Sequence, residues 1–262
     1  MIVAEDLKYH YPGRAAEPAL RGLSFSLKRG EKAALMGGNG SGKTTLLRCL
    51  NGLLHPEAGR VLVDGMDTND AEKRYEIRRR IGMVFQNPDN QIVAATVIRE
   101  IAFGLENLGI PHTDIVRRSE AALTTFHLES YREYAPHLLS GGEKQRLALA
   151  AVWVLKPDFL VLDEPTSLLD PNGRREVLAL LDSLPRRVGI LFVTQYPEEA
   201  LCMDRLMIMN RGKIVMDGPP AVVFSQPDRI RRLGLKPPVE LELVSYLRKL
   251  RASQNGGRSI EN

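Results

Sequence analysis

The chain has 262 residues, 44% of them hydrophobic and 26% charged, with a formal net charge of +4. That length suits one α/β domain with a large core plus a tail. No apolar run approaches the ~20 residues of a spanning helix, no signal-peptide pattern precedes the first strand, and basic and aromatic residues do not interleave as on a nucleic-acid platform; a membrane span of its own and a nucleic-acid partner are excluded.

Residues 2 to 37 read as antiparallel strands leading into a buried strand, EKAALM at 31–36. Tyr9 and Tyr11 stand in the first of them, within YHYPG. The buried strand runs into GGNGSGKTT at 37–45, and TTLLRCLNG at 44–52 follows with apolar residues at helical spacing and a glycine stop. Gly37, Gly42, Lys43 and Thr44 fit the G-x-x-x-x-G-K-[ST] pattern, and strand, loop, helix is the context in which it holds nucleotide phosphates. Backbone N–H groups must point at phosphate oxygens, an approach glycine permits, and the helix start adds unpaired donors and partial positive charge. The candidate ATP-binding loop is therefore Gly37, Gly38, Asn39, Gly40, Ser41, Gly42, Lys43, Thr44 and Thr45. Lys43 is placed to reach the β- and γ-phosphates and Thr44 to offer its hydroxyl to Mg²⁺.

VLVDG at 61–65 reads as a further strand, and IGMVFQ at 81–86 as a central one. Residues 88 to 157 read as a mostly helical lobe, in which Thr96 is expected to N-cap a helix. Further on, Ser140 is a good N-cap for EKQRLALAAVWVL at 143–155, a helix that stops at Pro157. FLVLDEP at 159–165 is an apolar strand ending in two carboxylates, and strand carboxyl ends are where open α/β sheets place ligands. Asp163 there can hold Mg²⁺. Glu164, one residue on, points elsewhere and can polarise the attacking water. VGILFVT at 188–194 is another central strand, and LMIMNRGKIVMDG at 206–218 a closing hairpin. Two proline breaks divide 219–252 into short amphipathic pieces, and 253–262 reads as disordered. Cys49 and Cys202 lack a disulfide pattern, which points to a reducing compartment and small buried packing roles. No His/Cys cluster has metal-ligand spacing, so a metal cargo is not expected to touch this chain.

With LSGGEKQR at 139–146 in place, the chain resembles the ATPase subunit of an ATP-binding cassette (ABC) transporter over roughly residues 2 to 220. The resemblance implies a P-loop NTPase core of α/β class, with an antiparallel β subdomain, a helical signature lobe (about 88–157) and a C-terminal helical extension at 221–252. It implies two subunits facing head to tail around two ATP molecules, with Ser140, Gly141 and Gly142 capping the γ-phosphate held by the opposite subunit. Tyr11 matches the aromatic that stacks on adenine, with Tyr9 the neighbouring alternative. Gln86 matches a glutamine that touches Mg²⁺ and water, and Asp170 a loop crossing the dimer interface. With Lys43 and Glu164, Gln86 and Gln195 complete the candidate catalytic set. Gln195 departs from the family, which usually has a histidine at this place. Its amide can donate to phosphate but carries no charge, so slower hydrolysis is expected.

NPDNQIVAATVIREIAFGLENLGIP at 87–111 resembles the energy-coupling factor (ECF) group, importers of vitamins and transition metals. There the segment after Gln86, with Asn87, Pro88, Asp89, Asn90 and Gln91, docks a transmembrane coupling protein that works with a substrate-binding membrane protein. The expected place is the cytoplasmic face of the membrane, as a homodimer or a pair of paralogues. The expected cargo is cobalt or nickel, with a shared vitamin module as the alternative. Basic clusters at Arg78–Arg80 and Arg229–Arg232 would suit an anionic leaflet, or be plain solvated faces. Two rivals differ in class. A soluble ABC ATPase without a membrane partner is disfavoured because this chain has neither a long coiled-coil insertion nor a second cassette. A non-hydrolysing scaffold is disfavoured by the intact Glu164.

Overall fold

The computed structural model describes residues 1–13, 17–239 and 241. The chain opens with an antiparallel pair, β1 (Ile2–Tyr9) and β2 (Leu20–Leu27), then enters β3 (Lys32–Gly37), whose end becomes the glycine loop and helix α1 (Lys43–Leu50). Strands β4 (Ala58–Val63) and β5 (Met66–Asp67) return beside β1 and complete a four-stranded sheet ordered β2-β1-β4-β5. Helix α2 (Arg74–Arg80) leads into β6 (Ile81–Val84). The helical lobe follows as α3 (Val97–Asn107), α4 (His112–Thr125) and α5 (Gly141–Trp153). Then come β7 (Phe159–Asp163), α6 (Pro171–Ser183), β8 (Gly189–Val193), α7 (Pro197–Leu201) and the hairpin β9 (Arg205–Asn210) and β10 (Lys213–Gly218). Helices α8 (Pro220–Phe224) and α9 (Pro227–Arg232) close the described chain.

The second sheet has six strands in the order β10-β9-β3-β8-β7-β6, parallel except for the β9–β10 hairpin. Successive side chains on a strand point to opposite faces, and this sheet is apolar on both. Ala34, Met36, Leu160, Leu162, Ile190 and Phe192 join one core with the helical lobe. Ala33, Leu35, Phe159, Val161, Leu191 and Val193 join another with α1 and the four-stranded sheet. Each of the larger of these side chains contributes about 1.5–3 kcal/mol on burial, and the alanines less. Because β3, β7 and β8 are parallel neighbours, their carboxyl ends present Gly37, Asp163 and the residues after Val193 along one edge.

Three local expectations are corrected. Strand β6 is an edge strand, paired with β7 alone, not a central one. It reads as central because all four of its residues are buried, with α2 and α5 packed against it. Thr96 does occupy the N-cap of α3, but its side chain makes no capping hydrogen bond and its hydroxyl is turned inward. Cys49 is buried, whereas Cys202 is exposed at the end of α7. Burial pushes the Cys49 thiol up to about 12, which keeps it an unreactive packing group. Ser140 does cap α5, accepting from the Glu143 N–H while Glu143 accepts from Ser140, a reciprocal box. Of the extension at 221–252, α8 and α9 are seen; Glu240 and 242–262, including the tail expected to be disordered, lie outside the described residues.

The turn between β4 and β5 carries a charge cluster that the sequence did not announce. Asp64 accepts from Arg29 at 2.7 Å and Arg80 at 2.8 Å and from the Met1 ammonium. Burial alone would raise its pKa, but these three donors outweigh it and hold the carboxyl at about 2. A folded-state pKa below the unfolded ~3.9 contributes stability above about pH 4 that is lost as pH falls towards 2. Asp64→Asn is expected to cost roughly 1–2 kcal/mol at pH 7. Thermal unfolding of variant and parent should converge as pH approaches 2; a constant gap would assign the loss to shape, not charge.

Candidate nucleotide-binding site

The glycine loop leaves β3 and wraps the start of α1. Gly37 and Gly42 are there for the protein's own backbone. A Cβ on Gly37 would sit 2.4 Å from the Met209 carbonyl, and one on Gly42 would sit 2.4 Å from the Ala19 carbonyl, with φ +103°. Gly38 and Gly40 face open space. Gly40 opens on a cavity of about 560 Å³ lined by Tyr11, the loop from Asn39 to Thr45, Gln86, Glu164 and Gln195. It has the size and the polar floor of a nucleotide site. Its outer rim is Glu17, Pro18, Ala19, Arg21 and Arg211, none of which stood out in sequence. The only hint was the Asn-Arg-Gly turn, which places Arg211 beside the loop because the Gly212 N–H donates to the Ser41 carbonyl at 2.9 Å.

The two tyrosines separate. Tyr11 lines the cavity, its hydroxyl 3.1 Å from the Thr45 hydroxyl, while Tyr9 is buried and meets Tyr11 edge to face at 5.1 Å. Thr44 donates to the Asp163 carboxylate at 3.0 Å. Burial raises the Asp163 pKa, only partly offset by that hydroxyl. Both are oxygen donors of the kind Mg²⁺ takes, and Asp163 makes no ion pair among the described residues.

Glu164 is the centre of the arrangement. Its backbone is left-handed, φ +49°, an uncommon conformation for a residue with a side chain. It diverges there from Asp163 and turns towards the glycine loop. Lys43 lies 3.6 Å from Oε1 of Glu164 and also donates to the Gly37 carbonyl at 2.8 Å. Gln86 and Gln195 both donate to Oε2, at 3.1 and 2.8 Å. Three of the four candidate catalytic residues thus converge on the carboxylate of the fourth, which the sequence could not foresee from positions as far apart as 43 and 195. Gln195 gives one amide N–H to Glu164, which leaves its second N–H as the donor it could offer a phosphate.

Ser140, Gly141 and Gly142 do not line this cavity. They form the start of α5, with open space at the Cβ position of Gly142. Lys144, one turn on, pairs with Asp89 at 2.8 Å and so ties α5 to the turn that follows Gln86. Asp170 caps α6 by accepting from Gly173 at 2.7 Å, next to exposed Leu168. None of these groups lines the cavity of its own chain.

The comparisons with known proteins agree with this geometry. The ABC transporter family matches residues 20–167. The energy-coupling factor transporter ATP-binding protein EcfA1 of Symbiobacterium thermophilum is 48% identical over 94% of this chain and 89% of its own. The cobalt import ATP-binding protein CbiO of Syntrophus aciditrophicus is 46% identical over 97% and 90%. Among solved structures, cbiO1 of Clostridium perfringens, part of the transporter complex cbiONQ, superposes with a TM-score of 0.79 at 34% identity, covering 95% of this chain and 98% of that one. A dimeric ABC transporter cassette bound to ADP and Pi gives 0.76 at 26%, over 84% and 99%. A glycine loop, a carboxylate pair at a strand end and an α5 start turned outward are what such cassettes need to bind and hydrolyse ATP, and the chain belongs to the ABC transporter family, as an ATPase of the energy-coupling factor type.

Proposed function

We propose that this ATPase powers import of a transition metal, cobalt or nickel, by ATP-driven closing and opening of a dimer. The observation that carries the mechanism is the convergence of Lys43, Gln86 and Gln195 on Glu164 beside the glycine loop. In this reading Lys43 and the loop hold the phosphates, Tyr11 stacks on adenine, and Glu164 orients and polarises water. Thr44, Asp163 and Gln86 would hold Mg²⁺, which neutralises charge on the phosphoryl oxygens. Ser140, Gly141 and Gly142 of a second copy, with its helix N-terminus, would complete the γ-phosphate site, and Asp170 would lie in the contact between copies. Binding then favours the closed pair because ATP touches both, and hydrolysis removes that difference in affinity.

The membrane partners of this reading are a transmembrane coupling protein, met by the turn from Asn87 to Gln91, and a substrate-binding membrane protein. The place of action is the cytoplasmic face of the membrane. Among the described residues no helix is long and apolar enough to cross it. Residues 1–220 act as the ATPase domain, with 221–252 adding contacts. The cobalt reading is supported by the CbiO relatives. A second reading, a shared module energising vitamin importers, is favoured by the EcfA1 relative at 48% identity. Radiolabelled cobalt uptake by cells carrying the chain with its membrane partners separates them. Uptake that vanishes in Glu164→Gln supports the metal importer; no cobalt uptake, with vitamin uptake that does vanish, supports the shared module.

Gln195→His is expected to raise turnover several-fold, within the ~10²-fold span of one positioned acid–base group. Both side chains can bridge Glu164 and a phosphate, but only the imidazole can carry a positive charge towards it. Steady-state phosphate release decides it; a fall would mean that glutamine is a tuned part of this site.

A further inference from the structure

A buried carboxylate outside the cavity is tied to both strand ends that feed it. Glu199, on α7, is 3% exposed, and its Oε2 accepts from Thr166 at 3.0 Å and from Thr194. Thr166 stands two residues after Glu164, and Thr194 one residue before Gln195. Both threonines are 1% exposed. The same Thr194 hydroxyl accepts from the Tyr196 N–H at 3.0 Å, so the backbone on both sides of Gln195 is fixed. Farther out, Arg174 stacks 3.5 Å over the Tyr196 ring and donates to the Leu169 carbonyl at 3.2 Å. That links the segment holding Gln195 to the loop beside Asp170.

A carboxylate in such a place costs free energy. Burial raises its pKa, only partly offset by the two hydroxyls, and its second oxygen has no hydrogen-bond partner among the described residues. An apolar residue on α7 would pack here without that cost. The arrangement has a use because Gln195 meets Glu164 across 2.8 Å, from two different strands, and water positioning by such a pair is sensitive to displacements of about 1 Å.

We propose that Glu199 is a positioning residue for ATP hydrolysis: by holding Thr166 and Thr194 together it sets the register of Glu164 against Gln195. The inference rests on the reading of Glu164 and Gln195 as the pair that faces the water. Glu199→Ala is expected to lower kcat by roughly 10-fold or more with KM for ATP within about 2-fold, because binding groups are untouched while orientation is lost. Glu199→Gln, which keeps an oxygen for both hydroxyls, is expected to restore most of kcat. In a Gln195→Ala background the Glu199→Ala loss should shrink to about 2-fold or less, since nothing is left to align. Thr166→Val, nearly isosteric, gives the same split if Glu199→Ala does not fold. A variant that unfolds more easily but turns over normally when folded would overturn the proposal. So would a loss confined to KM, or losses that multiply in the double variant. Glu164→Gln run in parallel tells the two failures apart: if it too leaves turnover intact, the water-facing pair is misassigned; if it abolishes turnover while Glu199→Ala does not, only the positioning role falls.

Discussion

Glu164→Gln should cut ATP turnover by about 100-fold or more while leaving ATP affinity within a few-fold. The amide keeps the size and one oxygen, so Gln86 and Gln195 can still donate to it at their present 3.1 and 2.8 Å. What disappears is the charge that pulls a proton from water. Lys43 loses an ion-pair partner at 3.6 Å but retains the Gly37 carbonyl at 2.8 Å, so the phosphate-binding cation stays in place. If two copies sandwich Mg-ATP as proposed, stopping hydrolysis leaves it in place between them. The variant should therefore move from monomer to dimer on size-exclusion chromatography when Mg-ATP is added. If ATP binds and the protein stays monomeric, a single kind of chain does not complete the site, and a paralogue or the membrane partner supplies the missing half. If turnover persists, Glu164 is not the group that activates water.

Gly37→Ala should be a severely damaging one-carbon change in the glycine loop. Gly37 lies in the β3–β9 ladder opposite Met209, and a new Cβ would sit 2.4 Å from the Met209 carbonyl and 2.7 Å from the Ser41 hydroxyl. The carbonyl is backbone in a sheet and cannot swing aside, so the loop itself must move. The expected cost is about 1–3 kcal/mol of stability, as for overpacking. ATP affinity should fall by about 10-fold or more, because N–H groups displaced by ~1 Å no longer meet the phosphates. Gly38→Ala is the control. Its Cβ meets nothing within 4 Å, so the melting temperature should hold and ATP affinity should change far less than in Gly37→Ala. Thermal unfolding with and without ATP reads both. Equal melting temperatures for Gly37→Ala and the parent would show that β9 yields more readily than a sheet strand should.

The contrast between these two glycines marks what a sequence does and does not show. The pattern from Gly37 to Thr45 announces a phosphate loop, because few other demands put so many glycines before a lysine and a helix. It does not say which glycines serve the ligand and which the fold, since that depends on Met209 and Ala19, neighbours brought in by distant segments. The strand FLVLD is legible because a parallel strand covered on both faces is apolar throughout. For the same reason β6 was misread: four buried residues look alike whether a second strand or a pair of helices covers them. Thr96 has the right side chain for a cap, but its hydroxyl is drawn inward and the sequence has no term for that. Glu199 was silent because its partners lie 33 and 5 residues away. Only a structure brings a lone glutamate within reach of two threonines.

The edge position of β6 has a mechanical consequence. This strand delivers Gln86 to the site yet is held by a single ladder, and it continues into the polar turn that Lys144 grips through Asp89. Gln86 lies two residues beyond the end of β6, so moving it away from Glu164 disturbs only the free end of an edge strand and leaves the β3–β8 and β8–β7 ladders intact. The molecule resembles a bench vice: one jaw, Gly37 and Asp163, is built into the central strands, and the other, Gln86, is mounted beyond the outermost one, where the proposed membrane partner would meet the adjoining turn.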